Sequence, residues 1–194
     1  MSNEWDEYAD NWDIDPTVKE YSTNAFESLL AKINIDGLCV LDFGCGTGAL
    51  TQLLSPKVSS VVAIDPSFAM ISHLDKKELV NVSSIADFLS DDMVKSHSEF
   101  DSKFDLIVAS SECGFLPNYE ETLGVLKSLL KTKGTFVQWD WLCEDGASGP
   151  GLSENRVRNA FQTHQFKDTL ITSPFTMKSS QGSMPVLMAI GKST

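Results

Sequence analysis

The stretch Val40-Leu41-Asp42-Phe43-Gly44-Cys45-Gly46-Thr47-Gly48 places three glycines at alternate positions, after a short apolar run and before Ala49-Leu50-Thr51-Gln52-Leu53-Leu54. Glycines in that setting let the main chain turn sharply and let a ligand approach main-chain atoms without meeting a Cβ. A helix start just beyond adds oriented N–H groups suited to a carboxylate. Two ligands compete for such a turn. Gly44, Gly46 and Ala49 fit the dinucleotide fingerprint G-x-G-x-x-G/A. Asp65, 21 residues beyond Gly44, could hold the ribose hydroxyls of either a dinucleotide or S-adenosylmethionine. Asp42 separates the two. Its carboxylate would repel a pyrophosphate and attract the ammonium of a methionine moiety, so S-adenosylmethionine is the better fit.

Other reactive types are scattered. Cys39, Cys45, Cys113 and Cys143 contain no CxxC pair, and His73, His97 and His164 do not cluster with them. No metal site and no cysteine nucleophile is expected from that spacing. Glu112 and Asp140 fall at or beyond strand carboxyl ends, where open α/β sheets place their sites, but neither is nominated as an acid or base. His164 follows a helical segment and reads as a surface or capping residue.

The elements that position these residues alternate. Trp5, Tyr8, Ala9 and Trp12 fall on one stripe of a short helix, which Pro16 interrupts. A second helix carries Val18, Tyr21, Ala25, Leu29, Leu30 and Ile33 on one face and closes at Gly37. Strands are expected over Leu38–Asp42, Ser60–Ile64, Asn81–Ile85, Phe104–Ala109 and Thr135–Trp141. Between them come helices carrying Phe68, Met70, Ile71 and Leu74, and then Leu123, Leu126, Leu129 and Leu130. Asn118 with Glu121 would cap the latter, and Gly134 would end it. Trp139 and Trp141 read as core. Glu144–Gly151 reads as a flexible loop before a helix near Ser153–Thr163. Strand-like Asp168–Thr172 and Pro185–Ile190 close the chain, joined too tightly for a crossover helix. The expected fold is α/β: a doubly wound, mostly parallel, seven-stranded Rossmann-like sheet with an antiparallel C-terminal edge strand. One domain over residues 1–194 is expected, with an N-terminal helical arm over 1–36 and a core over 37–194.

Hydrophobic residues make up 42% of the chain and charged residues 22%, ordinary for a folded globular protein. The net charge is −12, and residues 1–36 hold nine acidic side chains against Lys19 and Lys32. Nucleic acid and anionic membranes are disfavoured as partners, and most of these carboxylates read as a solvated surface. No apolar run could span a bilayer, and Met1-Ser2-Asn3-Glu4-Trp5-Asp6 is not a signal peptide, so a cytoplasmic location is expected.

The glycine segment resembles motif I of the class I S-adenosylmethionine-dependent methyltransferases. Trp5-Asp6-Glu7-Tyr8-Ala9-Asp10-Asn11-Trp12-Asp13 resembles the Trp/Tyr-rich entry segment of their UbiE-like, small-molecule branch. Phe104-Asp105-Leu106-Ile107-Val108-Ala109-Ser110-Ser111 resembles the fourth strand of that branch, and Leu129-Leu130-Lys131-Thr132-Lys133-Gly134 its turn into the fifth. The resemblance implies that Gly44, Gly46 and Gly48 line the methionine part of the cofactor and that Asp65 takes both ribose hydroxyls. It further implies Met70 beside the adenine, Asp87 accepting from the adenine amino group, and Ser110 and Ser111 beneath the cofactor. Asp42, Cys45, Pro66, Ser67, Phe88 and Trp12 complete the implied cofactor-binding set. The segment Glu112-Cys113-Gly114-Phe115-Leu116-Pro117 departs from the branch, and no Asn-Pro-Pro-aromatic motif is present, so the acceptor is not fixed.

Transfer of a methyl group to a small molecule by in-line displacement is the expected function. Such a protein mainly positions its reactants and excludes water. A catalytically silent cofactor-binding subunit and an NAD-type oxidoreductase are the alternatives. The Trp5–Trp12 arm would be either a cover for the site or a packing element.

Overall fold

Residues 4–179 and 182–194 are described by the structure, a computed structural model. Seven strands alternate with helices: β1 (Cys39–Phe43), β2 (Ser60–Asp65), β3 (Val82–Ala86), β4 (Phe104–Ser110), β5 (Leu130–Trp141), β6 (Lys167–Ser179) and β7 (Gly182–Lys192). The helices are α1 (Ala9–Trp12), α2 (Pro16–Leu30), α3 (Thr51–Leu54), α4 (Phe68–Asp75), α5 (Asp91–Ser96), α6 (Tyr119–Ser128) and α7 (Glu154–Thr163). The sheet order is β3-β2-β1-β4-β5-β7-β6, the mixed Rossmann-like α/β arrangement that the alternation predicts. The chain divides into two compact units, Met1–Ser102 and Lys103–Thr194. No helix among the described residues is long and apolar enough to cross a membrane.

In the first unit β1, β2 and β3 run parallel, with Asp42 opposite Ala63 and Asp65 opposite Ala86. β1 and β2 are short and apolar because both faces are covered, with Val40, Leu41, Val61, Ala63 and Ile64 all buried, whereas in β3 only Ile85 is buried. The stripe of Trp5, Tyr8 and Trp12 does not form one helix. A 3-10 turn over Glu4–Glu7 is followed by the single turn of α1, and Tyr8 is 56% exposed. Pro16 opens α2 rather than merely interrupting a pattern, because its fixed φ suits the first helical position and its missing N–H costs nothing there. Asp15 caps that helix by accepting from the Thr17 N–H at 2.8 Å. Leu30 is exposed at the end of α2, and Ile33 lies beyond it. The helix expected over Ala49–Leu54 starts only at Thr51: Gly48 sits at φ +83°, outside helical space, and turns occupy the residues between.

In the second unit β4 and β5 are parallel, and β7 pairs antiparallel with both β5 and β6. The last two strands are longer than their sequence patterns, at 13 and 11 residues, and form a hairpin. Phe136, Phe161 and Phe166 stack with centroids 4.9–6.0 Å apart over Gly191, where a Cβ would come within 2.9 Å of the Phe161 ring. Two boundary readings change. Asn118 makes no side-chain cap bond, since its backbone (φ −119°, ψ 42°) is not the extended one a cap needs. Gly134 does not end α6, which stops at Ser128; Leu130 already pairs with Phe104, so Gly134 lies inside β5. A Cβ there would sit 2.9 Å from the Lys131 carbonyl and 3.0 Å from that of Phe104. Trp139 is buried as expected, whereas Trp141 is only half-buried.

Candidate functional site

The first unit gathers most of the nominated residues at the carboxyl ends of its strands. After β1 the chain turns back on β2: the N–H groups of Gly44 and Cys45 both donate to the Ile64 carbonyl, at 2.9 and 3.1 Å. Gly44, Gly46 and Gly48 all take positive φ (69°, 54° and 83°), so the turn depends on glycine at each of them. Cys45 is buried between them. Gly48 is also a close approach, since a Cβ there would lie 2.4 Å from Leu74 Cδ1 on α4.

Two carboxylates flank the turn. Asp42 is 1% exposed; its Oδ2 accepts from the Thr51 hydroxyl at 2.7 Å, while Oδ1 is buried with no hydrogen-bond partner. Burial pushes its pKa up to about 7, the Thr51 bond opposes this, and the charge of Asp65 adds to it. Asp65, 7% exposed at the end of β2, accepts from the Gly46 N–H at 2.9 Å and from the Ser67 N–H at 2.8 Å. It therefore braces the glycine turn and the start of α4 together. Burial raises its pKa, the two N–H bonds hold it down, and the charge of Asp6 raises it further. Each of its oxygens keeps acceptor capacity beyond these bonds.

Ser67 is buried and caps α4 by accepting from the Met70 N–H at 3.1 Å, and Met70 is buried beneath it. Pro66 is half-buried between Asp65 and this cap. Asp87 and Phe88 follow Ala86, the partner of Asp65 across the β2–β3 ladder; Phe88 is 69% exposed, and its N–H donates to Asp87 Oδ1 at 2.7 Å.

The N-terminal arm lies on this same group. A Cβ at Gly46 would be 3.7 Å from Trp12 Nε1, which places the indole against the glycine turn. Trp12 meets Trp5 edge-on at 5.9 Å, and Trp5 meets Tyr8 at 5.8 Å. Three aspartates fasten the arm alongside α4. Asp6 accepts from the Ser67 hydroxyl at 2.5 Å and from the Ala69 N–H at 3.3 Å. Asp10 reaches His73 at 3.0 Å, and Asp13 reaches Lys77 at 2.9 Å while also accepting from the Thr47 hydroxyl. These acids read as solvated surface in the sequence. Their spacing along the arm was visible, but their partners lie more than thirty residues away.

Ser110 and Ser111 belong to the second unit. Ser110 ends β4, and Ser111 takes φ +57° with its N–H donating to the Trp139 carbonyl at 2.7 Å. Beyond them the second unit holds a buried polar chain that the sequence did not reveal. The Tyr119 hydroxyl donates to Gln138 Oε1 at 2.8 Å, Gln138 Nε2 donates to Asp140 Oδ2 at 2.8 Å, and the Gly114 N–H donates to Asp140 Oδ1 at 2.7 Å. Burial pushes the Asp140 pKa up to about 7 against both of its bonds. Gly114 touches Gly151, whose N–H donates to its carbonyl at 3.3 Å, so the turn after β4 and the end of the loop after β5 are stitched together. His164 caps α7 and meets the Glu120 carbonyl at 2.7 Å, a structural tie.

A family model described as a methyltransferase domain matches residues 18–173, across both units. The cypemycin N-terminal methyltransferase of a Streptomyces species is 33% identical over 99 residues, half of this chain and 38% of that protein. Among solved structures, the DhpI–SAH complex aligns with a TM-score of 0.71 at 20% identity, over 96% of this chain and 92% of that one. The magnesium protoporphyrin IX methyltransferase of Synechocystis with bound SAM aligns at 0.66 and 17% identity, over 98% and 85%. At such identities these two share the fold. The curated relatives are longer proteins: this chain spans only 35–44% of their length.

Proposed function

This chain belongs to the methyltransferase-domain family, and from that premise we propose that it binds S-adenosylmethionine at the glycine turn and methylates a small-molecule acceptor. The observation that carries the reading is the buried, unpartnered Oδ1 of Asp42 beside three glycines with positive φ. A carboxylate oxygen left without a hydrogen bond in the interior is costly, and an ammonium group at the turn would relieve that cost. A pyrophosphate there would aggravate it, which speaks against a dinucleotide.

In this reading Gly44, Cys45, Gly46 and Gly48 would offer main-chain groups to the methionine portion, with Asp42 behind them. Asp65 would use its remaining lone pairs for the ribose hydroxyls without releasing Gly46 or Ser67. Pro66, Ser67 and Met70 would form the wall behind the ribose and adenine, with Asp87 and Phe88 at its rim. Trp12 would cover the turn and keep water from it. When bound, S-adenosylmethionine supplies an electrophilic methyl group, so the chain's own task is to hold an acceptor in line with it. The entire chain is read as one methyltransferase domain.

Titration calorimetry tests this directly. S-adenosylmethionine and S-adenosylhomocysteine should bind the purified chain and NAD should not; binding of NAD alone would overturn the reading. Screening metabolite pools for methyl transfer then separates an enzyme from a silent binding subunit, which would bind the cofactor and methylate nothing.

A further inference from the structure

Two carboxylates of the first unit flank the glycine turn, Asp42 from β1 and Asp65 from β2, and a third, Asp6 from the arm, sits beside Asp65 at the start of α4. The donors that hold Asp42 and Asp65 are uncharged, namely the Thr51 hydroxyl and the main-chain N–H groups of Gly46 and Ser67. Asp6 rests on the Ser67 hydroxyl and the Ala69 N–H, within electrostatic reach of Asp65. Asp65 in turn acts on Asp42. Lys77, close by, is engaged by Asp13. Negative charge thus accumulates where water is scarce, an arrangement that favours a cation in its midst. The unpartnered Asp42 Oδ1 marks the buried end of this field.

We infer that Asp6, Asp42 and Asp65 act as a charge filter that favours the sulfonium form of the cofactor over its neutral thioether product. This rests on the cofactor reading above. Transfer of the methyl to an acceptor lone pair leaves the S–C bonding electrons on sulfur and removes its positive charge. The amino-acid and adenosine parts are common to both forms, so their contacts cancel in the comparison. What remains is the field at the sulfur, and a field needs no direct contact in a poorly screened interior. Asp6 makes the arm part of this selectivity: when the arm is seated its carboxylate joins the other two. The product therefore leaves more readily than the cofactor, and inhibition by product is weak.

The test uses the full chain and three probes at about pH 8, above the Asp42 value. They are S-adenosylmethionine, S-adenosylhomocysteine, and sinefungin, which carries a protonated amine where the cofactor carries its sulfonium methyl. Calorimetry should find both cations bound at least about threefold more tightly than S-adenosylhomocysteine. Asp6→Asn keeps an oxygen for Ser67 and Ala69, and it should shrink that gap at least about twofold while the melting temperature holds. Equal or tighter binding of S-adenosylhomocysteine overturns the filter, and this comparison needs no variant. A gap unchanged in folded Asp6→Asn removes the arm from it. Failure of all three probes to bind sinks the cofactor reading itself.

Discussion

Asp65 shows how much one side chain can carry. It joins the glycine turn to the start of α4 through two main-chain N–H groups, and in the proposed function it also takes the ribose hydroxyls. The two roles respond differently to substitution. Asp65→Ala should weaken cofactor binding by about 1.5–3 kcal/mol, the loss of charge-assisted hydrogen bonds, and should lower stability as well by stranding buried donors. Asp65→Asn keeps an acceptor for only one of the two N–H groups, so it should fall between wild type and alanine in both properties. Calorimetry with parallel urea denaturation reads both. A folded alanine variant with unchanged affinity would take Asp65 out of the ribose site. This residue was legible in the sequence because strand, turn and carboxylate are all local features. The arm's Asp6, Asp10 and Asp13 were not, since what distinguishes them from solvated surface charge is Ser67, His73 and Lys77, brought near only by folding.

At the level of elements, the glycine turn and α4 are mutually fitted. Gly48→Ala must place a side chain at φ +83° and push Leu74 from its seat, so it should destabilise the protein by about 2–4 kcal/mol in urea unfolding. A loss below about 0.5 kcal/mol would show that the turn and α4 can part without cost. The arm is the contrasting case. It is held along α4 by the Asp10–His73 and Asp13–Lys77 contacts, pairs of a kind that contribute about 0–1 kcal/mol each, and by the hydrogen bonds that Asp6 accepts from Ser67 and Ala69, about 1 kcal/mol each. Removing residues 1–13 should therefore lower unliganded stability by no more than about 2–3 kcal/mol while cutting cofactor affinity about tenfold or more. Large destabilisation with affinity intact would make the arm a packing element only. Element boundaries proved less legible than element types. The expected end of a helix at Gly134 fell inside β5 because pairing with β4, a non-local event, claimed Leu130 first.

Across the whole molecule the alternation of strands and helices was readable from the sequence, because strands covered on both faces are short and continuously apolar. The lengths of β6 and β7 were not, since hairpin partners extend each other through main-chain bonds that side-chain patterns do not encode. Two buried carboxylates, one in each unit, impose a shared pH dependence. Asp42 and Asp140 both rise from an ordinary 3.8 to about 7 on folding. A raised folded-state pKa means the native state holds its proton more tightly than the unfolded chain. The stability this contributes is complete below about pH 4 and is lost as pH climbs to about 7. Denaturation midpoints of Asp42→Asn and Asp140→Asn, followed from pH 4 to 8, should each decline less steeply than wild type over that window. Parallel curves would place both acids in the ionised form throughout.

The seat of Trp12 has an optical consequence. Its indole nitrogen faces the turn at Gly46, while Trp139 is sealed in the second unit. A ligand arriving at the turn changes the polarity around Trp12, one of the four indoles of the chain, so the protein carries its own dye. Emission should shift as S-adenosylhomocysteine is titrated in, and Trp12→Phe should shrink the shift while binding, followed by calorimetry, persists; Trp5, which meets Trp12 edge-on, accounts for what is left. The arm could then be watched seating and lifting in stopped flow with no label attached.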